Sequence, residues 1–369
     1  MNKLIRIRLD VLSPTSIRSG EELDLIFSLT KKGNAYYLVD IKKLTALAKF
    51  EELEVVVDKI LNGDIENARI FITKLFEKYG VLYNSKIELQ NYPPQYNIEV
   101  KNPTKIYETV SLLPGLGYIP GSSFKGALIA TYYFIKNKEL NNSVLNEINR
   151  KFELERFGSK NREKEKRLFK KFEFNQQTGK LETKIRKDYI LVRDMLPLNN
   201  NVNVFVSTEV NIRSNIKNKN KPPVGPEQMV EYLKPSTTFV GTMKKEKLIG
   251  GDLDDWLHGP EKMLYKEEFE HIYKELKKFN NIVIQRELKF WESVNIHDKK
   301  HGHFIKAVRE DVISFWELMK NLNKPFLLMG RGKKAHTKLK EDDKIMGSRN
   351  ITYYNGKFYP IGVVAVSID

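Results

Sequence analysis

LLPGLGYIPGSSFKGALIATYYF, Leu112 to Phe134, sets a glycine- and proline-rich turn against the first turn of an apolar helix. Gly121 can take backbone angles closed to other residues, Ser122 or Ser123 can cap the helix, and Phe124, Leu128, Tyr132 and Ile135 recur at helical spacing. Unpaired amides and a positive dipole at such a start attract phosphate, and Lys125 stands close enough to assist. An ordinary capped helix with one solvated lysine fits the same residues. Its neighbours along the chain have to separate the two readings.

Upstream, Leu4, Arg6, Arg8 and Asp10 alternate with Ile5, Ile7, Leu9 and Val11, the period of a half-buried strand, and SPTSIRSG breaks it. A second strand is expected at Ala35 to Asp40. IKKLTALAKFEELEVVVDKILNG and IENARIFITKLFEKYG have helical spacing and each closes on a glycine, which predicts a helical insertion over about 41–110. Downstream of the opening stretch, whose helix is expected over Gly126 to Ile135, YILVRDMLPL and NVNVFVSTEVNI read as two middle strands. EYLKPSTTFVGTMKK then supplies a closing strand from Thr237 to Met243. With insertions set aside, this order fits an antiparallel sheet with helices on one face, an α+β, ferredoxin-like (RRM-type) plan. Acidic and glycine-rich residues replace basic loops at Gly250 to Pro260, so a boundary is expected there, dividing 1–250 from a second, C-terminal α+β domain at 251–369. Beyond it, Met263 to Phe279, Asn281 to Val294 and Lys306 to Leu322 are expected to be helical. PFLLMGRGKKAHTKLK and FYPIGVVAVSID are expected to be strands around a glycine loop.

The chain has 369 residues, enough for a large core, and 63 Lys and Arg against 47 Asp and Glu give a net charge of +16. That excess suits a polyanionic partner, although lysine enrichment also follows from genome composition or growth temperature. The absence of cysteine excludes disulfides, zinc ribbons, iron–sulfur clusters and thiol nucleophiles. No apolar run reaches the roughly 18 residues of a membrane span, so no membrane partner and a cytoplasmic setting are expected.

Two stretches are strongly basic. Arg156 to Phe172 has eight basic residues and two acids, and RSNIKNKNKPPVGP, which opens on Arg213, has no acid before its proline-rich end. Each reads as a solvated helix face or loop. No GxxxxGK[ST] occurs. GRGKKA, Gly330 to Ala335, satisfies GxGxxA, yet only 34 residues follow it, too few for a doubly wound domain, so no nucleotide cofactor is expected. The wider GRGKKAHTKLK instead offers a cationic loop, with Arg331, Lys333, Lys334 and Lys338, whose amides can follow a nucleic-acid backbone. His336 in that loop is a weak candidate for acid/base chemistry on RNA. His297, His301 and His303 stand among lysines that repel a cation, and no metal site is expected there.

VLSPTSIRSG, YIPGSSFKGALIATYY, YILVRDMLP, EYLKPSTTFVGTM and LLMGRGKKAHTK occur in the order found in RAMP proteins of CRISPR systems, and over most of the chain the sequence resembles the family of fifth Csm subunits of type III-A effector complexes. The resemblance implies a ferredoxin-like protein that caps the 3′ side of a guide (CRISPR) RNA, aids its maturation, and contacts other Csm subunits, the repeating backbone subunit and the small subunit above all. It implies no cofactor and no catalytic residue of its own. RNA contacts are then expected from these segments and from the start of the basic stretch at Arg213: Arg18, Gly121, Ser122, Ser123, Lys125, Arg193, Arg213, Lys234, Arg331, Lys333, Lys334 and Lys338. The glycine loop departs from the family in carrying Arg331, Lys333 and Lys334 among its small residues. Some RAMP relatives cut repeat RNA with a histidine and without metal. An endoribonuclease centred on His336, with Lys338 assisting, is therefore the alternative, and a backbone or capping subunit of a related type III complex is a third reading.

Overall fold

A computed structural model describes residues 4–24, 28–32, 35–96, 98, 105–113, 115–138, 172–175, 180–183, 190–213, 224–225, 227–245, 269–330 and 348–368. Its helices are α1 (Ile41–Leu47), α2 (Phe50–Leu61), α3 (Ile65–Tyr79), α4 (Gly121–Lys138), α5 (Phe269–Ser293) and α6 (Gly302–Lys320). None is long and apolar enough to cross a membrane.

A six-stranded sheet runs in the order Ile190–Val192, Thr238–Lys245, Leu4–Val11, Val363–Ile368, Phe326–Leu328, every neighbour antiparallel, with Leu196–Pro197 also paired to Thr238–Lys245. The alternation in LIRIRLDV is what places the first strand at the centre. Ile7, Leu9 and Val11 are buried and pack with Phe239, Val364 and Val366, while Arg6 points out to solvent. Phe124 and Leu128 of α4 and Ile272 and Leu276 of α5 join that buried face. Strand, α4, strand, strand, α5, strand is the ferredoxin-like order, and the fold is α+β. Its members differ from the expectation in two places. Thr238–Lys245, expected to close the sheet, is its third strand, and Val363–Ile368 closes it by pairing with Leu4–Val11. Val204–Arg213, expected as a middle strand, belongs to another sheet. The change of composition at Gly250 to Pro260 lies outside the described residues, and the chain on either side of it shares this sheet and its core.

The second sheet has nine strands, in the order Arg18–Asp24, Lys105–Thr109, Gln228–Leu233, Val204–Arg213, Leu82–Gln90, Ala35–Val39, Leu29–Lys32. Ser348–Tyr354 pairs with the far half of Val204–Arg213, and Lys357–Pro360 pairs with Ser348–Tyr354. Val204–Arg213 sits at its centre because both of its faces are apolar: Val204 and Val206 enter the main core, whereas Phe205 packs with Tyr232 and Ile361 on the other side.

The α1–α3 insertion forms a satellite core of Val56, Ile72, Leu75 and Phe76 against Val39 and Val81. Strands Leu82–Gln90 and Lys105–Thr109 follow within 41–110, so that insertion is not helical throughout. α5 is continuous where a break at Asn280, between helices ending at Phe279 and starting at Asn281, was expected. The Asn280 side chain bonds both the N–H and the carbonyl of Phe326, at 2.8 and 2.7 Å, so the residue that reads as a helix breaker is a tertiary clamp. Farther along α5, buried Glu287 accepts from Arg349, whose guanidinium lies over the Phe290 ring. The apolar faces of α5 and α6 meet in a core that includes Trp291, Phe304, Trp316 and Phe358.

Candidate nucleic-acid interface

The turn before α4 is held from two sides. Ile119 and Met195 exchange backbone bonds of 3.1 and 2.8 Å, and the Asn203 side chain bonds both the N–H and the carbonyl of Gly117. α4 then begins at Gly121 itself, so Ser122 and Ser123 stand in its first turn and neither is the cap. The first amide is taken by a residue from the strand pair: Gly121 donates to Asp194 Oδ1 at 2.8 Å. Only glycine fits here, because a Cβ would lie 2.3 Å from the Val192 carbonyl oxygen and 2.8 Å from the Arg193 carbonyl. The same close approach sets the Arg193 backbone against the helix start, with the residue exposed beside exposed Ser122. Ser123 and Lys125 are half-buried in the same two turns, and Lys125 is already engaged in a contact. Phe124 and Leu128 are fully buried beneath them, whereas the side chains of Tyr132 and Ile135 lie outside the description.

A second element lies in SPTSIR, which is a buried connection and not an open loop. Thr15 and Leu233 exchange backbone bonds, and Val363 donates its N–H to Ser13 Oγ at 2.9 Å. Gly330 opens the glycine loop directly over this segment: its φ is +55°, and a Cβ would sit 2.1 Å from the Ser16 carbonyl oxygen. Ser16 is buried, and its hydroxyl has no hydrogen-bond partner among the described residues. Arg18 follows, half-buried, its Nη2 donating to Gln228 at 3.2 Å and its guanidinium 3.9 Å from the centre of the Tyr107 ring. This arginine is held flat by stacking and by one neutral acceptor, which leaves its charge uncompensated by a carboxylate in those contacts. On Gln228–Leu233, the strand beyond Lys105–Thr109, burial pushes the Glu231 carboxyl up to about 8, with the Thr109 N–H opposing and the Glu108 charge adding. It is therefore protonated at neutral pH and does not repel an anion.

The other expected contacts do not converge on one place. Lys234 lies 3.7 Å from Glu88, across a shallow cleft shared with Lys86 and Gln90. Arg213 ends its strand opposite Ser348. Arg331, Lys333, Lys334, Lys338 and His336 lie outside the described residues, as does most of Arg156 to Phe172. Two partners were missed. Asp194 was not foreseen because a cap contributed from far along the chain leaves no local signal. The stacking platform Tyr107 lacked one as well. The polar face of Leu4–Val11 was foreshadowed by LIRIRLDV: Arg6, Arg8 and Asp10 share it, with Arg8 at 3.0 Å and Lys324 at 3.1 Å from Asp10, while on the neighbouring strands Val363, Phe326 and Leu328 bury the same face of the sheet in the second core. Among the described residues no group of His, Cys, Asp or Glu is arranged to hold a metal ion.

The chain is similar in structure to T. onnurineus Csm5, seen in a crystal structure, with a TM-score of 0.58, 18% identity, and 97% of this chain and 99% of that one covered. It is also similar to a chain of a cryo-EM structure of a Csm–crRNA–target RNA ternary complex in a type III-A CRISPR-Cas system, with a TM-score of 0.59, 18% identity, and 98% and 100% covered. A search of curated proteins finds no match. The model of the RAMP superfamily matches residues 8–333, and the chain belongs to that superfamily.

Proposed function

We propose that this chain is an RNA-binding subunit of a type III-A CRISPR-Cas effector complex, and that it holds the 3′ side of the guide RNA, aids its maturation and touches neighbouring Csm subunits. The observation that carries the reading is its end-to-end structural correspondence with Csm5 and with a Csm complex chain, within a superfamily match over 8–333. The surface chemistry agrees. A net charge of +16, a helix start flanked by Arg193 and Ser122, and a stacked Arg18 offer cations and polar groups to phosphate and ribose without a base-reading edge. A guide holder must accept any spacer, so sequence indifference suits it. The RNA path then runs over Arg18, Gly121, Ser122, Ser123, Lys125 and Arg193, with Arg213, Lys234 and the loop residues Arg331, Lys333, Lys334 and Lys338 extending it. No chemistry is assigned to the chain itself. Fluorescence anisotropy with unrelated single-stranded RNAs across a salt series tests the reading. Affinities should agree between sequences within a few fold and fall steeply with salt. The RNA should emerge uncut. A flat salt response contradicts the binding claim, and site-specific cleavage lost in His336→Ala contradicts the absence of catalysis.

A further inference from the structure

In this strongly basic chain, α2 is acidic: Glu51, Glu52, Glu54 and Asp58 against Lys59. Its apolar residues are more numerous than its packing against α3 needs. Val56 is buried, and Leu53 and Ile60 are partly buried against the satellite core. Phe50, Val57 and Leu61, by contrast, are 75%, 48% and 78% exposed. At 3.6 residues per turn those three fall within a narrow arc, about a quarter-turn beyond the arc that α3 covers. Glu51, Glu54 and Asp58, spaced three and four apart, form the next stripe round the helix. Leu47 at the end of α1 and Ile70 of α3 add exposures of 48% and 50% in the same insertion.

Isolated exposed leucines need no explanation, but an ordered apolar stripe on one helix does. Acids beside it argue against an RNA contact, because phosphate would be repelled where the remaining chain attracts it. They favour the opposite charge. We propose that the outer face of α2, Phe50, Val57 and Leu61 bordered by Glu51, Glu54 and Asp58, is a docking surface for a protein partner whose contact segment is apolar and flanked by lysine or arginine. The partner is another protein of the same assembly, and in this the inference rests on the proposed function. One molecule thereby separates its two kinds of partner by charge: cationic surface for RNA, anionic and apolar surface for protein.

The test is co-expression of the tagged full chain with the other proteins and the guide RNA of its complex, comparing wild type with Phe50→Glu/Leu61→Glu and with Glu54→Lys/Asp58→Lys. Both variants alter exposed positions, and circular dichroism of each purified chain checks its folding. The expected result is at least a tenfold loss of one protein partner from both purified variants, with the RNA affinity of the isolated chain unchanged within about twofold for the first variant. Retention of every protein partner by both folded variants overturns the docking surface while leaving the functional reading intact. A wild-type chain that recovers neither protein partner nor guide RNA overturns the functional reading, and the docking proposal with it. A large fall in RNA affinity for Phe50→Glu/Leu61→Glu, with assembly unaffected, shows that the face serves RNA instead and also overturns the proposal.

Discussion

Gly121→Ala probes the joint that builds the candidate interface. The added Cβ would meet the Val192 carbonyl oxygen at 2.3 Å and the Arg193 carbonyl carbon and oxygen at 2.8 Å, all backbone atoms. Those atoms cannot rotate away as a side chain can, so α4 and the Arg193–Met195 segment must separate. Overpacking of this kind costs about 1–3 kcal/mol. Separation also stretches the Gly121 N–H bond to Asp194, now 2.8 Å, and a bond to a charged group is worth about 1.5–3 kcal/mol. Alanine returns about 1 kcal/mol through its better helix propensity. The balance is a loss of about 1.5–5 kcal/mol, or a fall in Tm of about 2–6 °C for a chain of this size. Differential scanning calorimetry reads the loss, with Ser122→Ala as the control at an exposed neighbour, expected to stay within about 0.5 kcal/mol. RNA affinity, measured well below the transition, should also fall in Gly121→Ala, because Arg193 moves away from the helix start. A variant as stable as wild type would refute the close approach, and one that is destabilised yet binds RNA normally would refute the role of this joint in binding.

Other perturbations separate structural from binding residues. Leu128→Ala removes a fully buried side chain and should cost about 2–5 kcal/mol by urea denaturation with RNA affinity preserved, while Lys125→Ala should weaken RNA binding and shift Tm little. Glu231 should make stability pH-dependent. Its carboxyl is raised from 4.5 to about 8, so between those values the unfolded chain holds fewer protons than the folded one and stability falls as pH rises, levelling off above about 8. Glu231→Gln keeps an acceptor for Thr109 and should stabilise the protein by about 3 kcal/mol more at pH 8 than at pH 5, read from paired denaturation curves; equal gains at both values would contradict a neutral buried acid. Glu287→Ala leaves Arg349 buried without its carboxylate and should cost about 3–5 kcal/mol, far more than removal of the exposed partner Glu317 from its pair with Lys320.

Local signals carried much of the fold. Period-two alternation located Leu4–Val11 and its buried face, and a glycine with φ of +59° ends α3 where the sequence places a C-terminal cap. What failed was assignment of strands to sheets. Val204–Arg213 and Thr238–Lys245 look alike in sequence, and their separation depends on which distant strands pair with them, 82–90 beside the first and 4–11 beside the second. Asn280 shows the same limit: an asparagine pair lowers helix propensity locally, yet two bonds to Phe326 make it an asset within α5. At the candidate interface, Gly121 stood out in the sequence for backbone angles that it does not adopt; what requires glycine there is the close approach of the Val192 and Arg193 carbonyls, which has no local signal. Its cap was not legible either, since Asp194 lies 73 residues away in sequence. Ser16 and Gly330 were both noticed within motifs, but the contact between them exists only once the last strand returns to the first.

Purification of the tagged chain from its native host, followed by sequencing of the bound RNA and mass spectrometry of bound proteins, tests the assignment to a guide-RNA complex most directly. The expected result is CRISPR-derived guide RNA of many different spacers sharing a common repeat-derived sequence, recovered with other Csm proteins. Recovery of no RNA, or of cellular RNA without CRISPR sequence and without Csm partners, would contradict it.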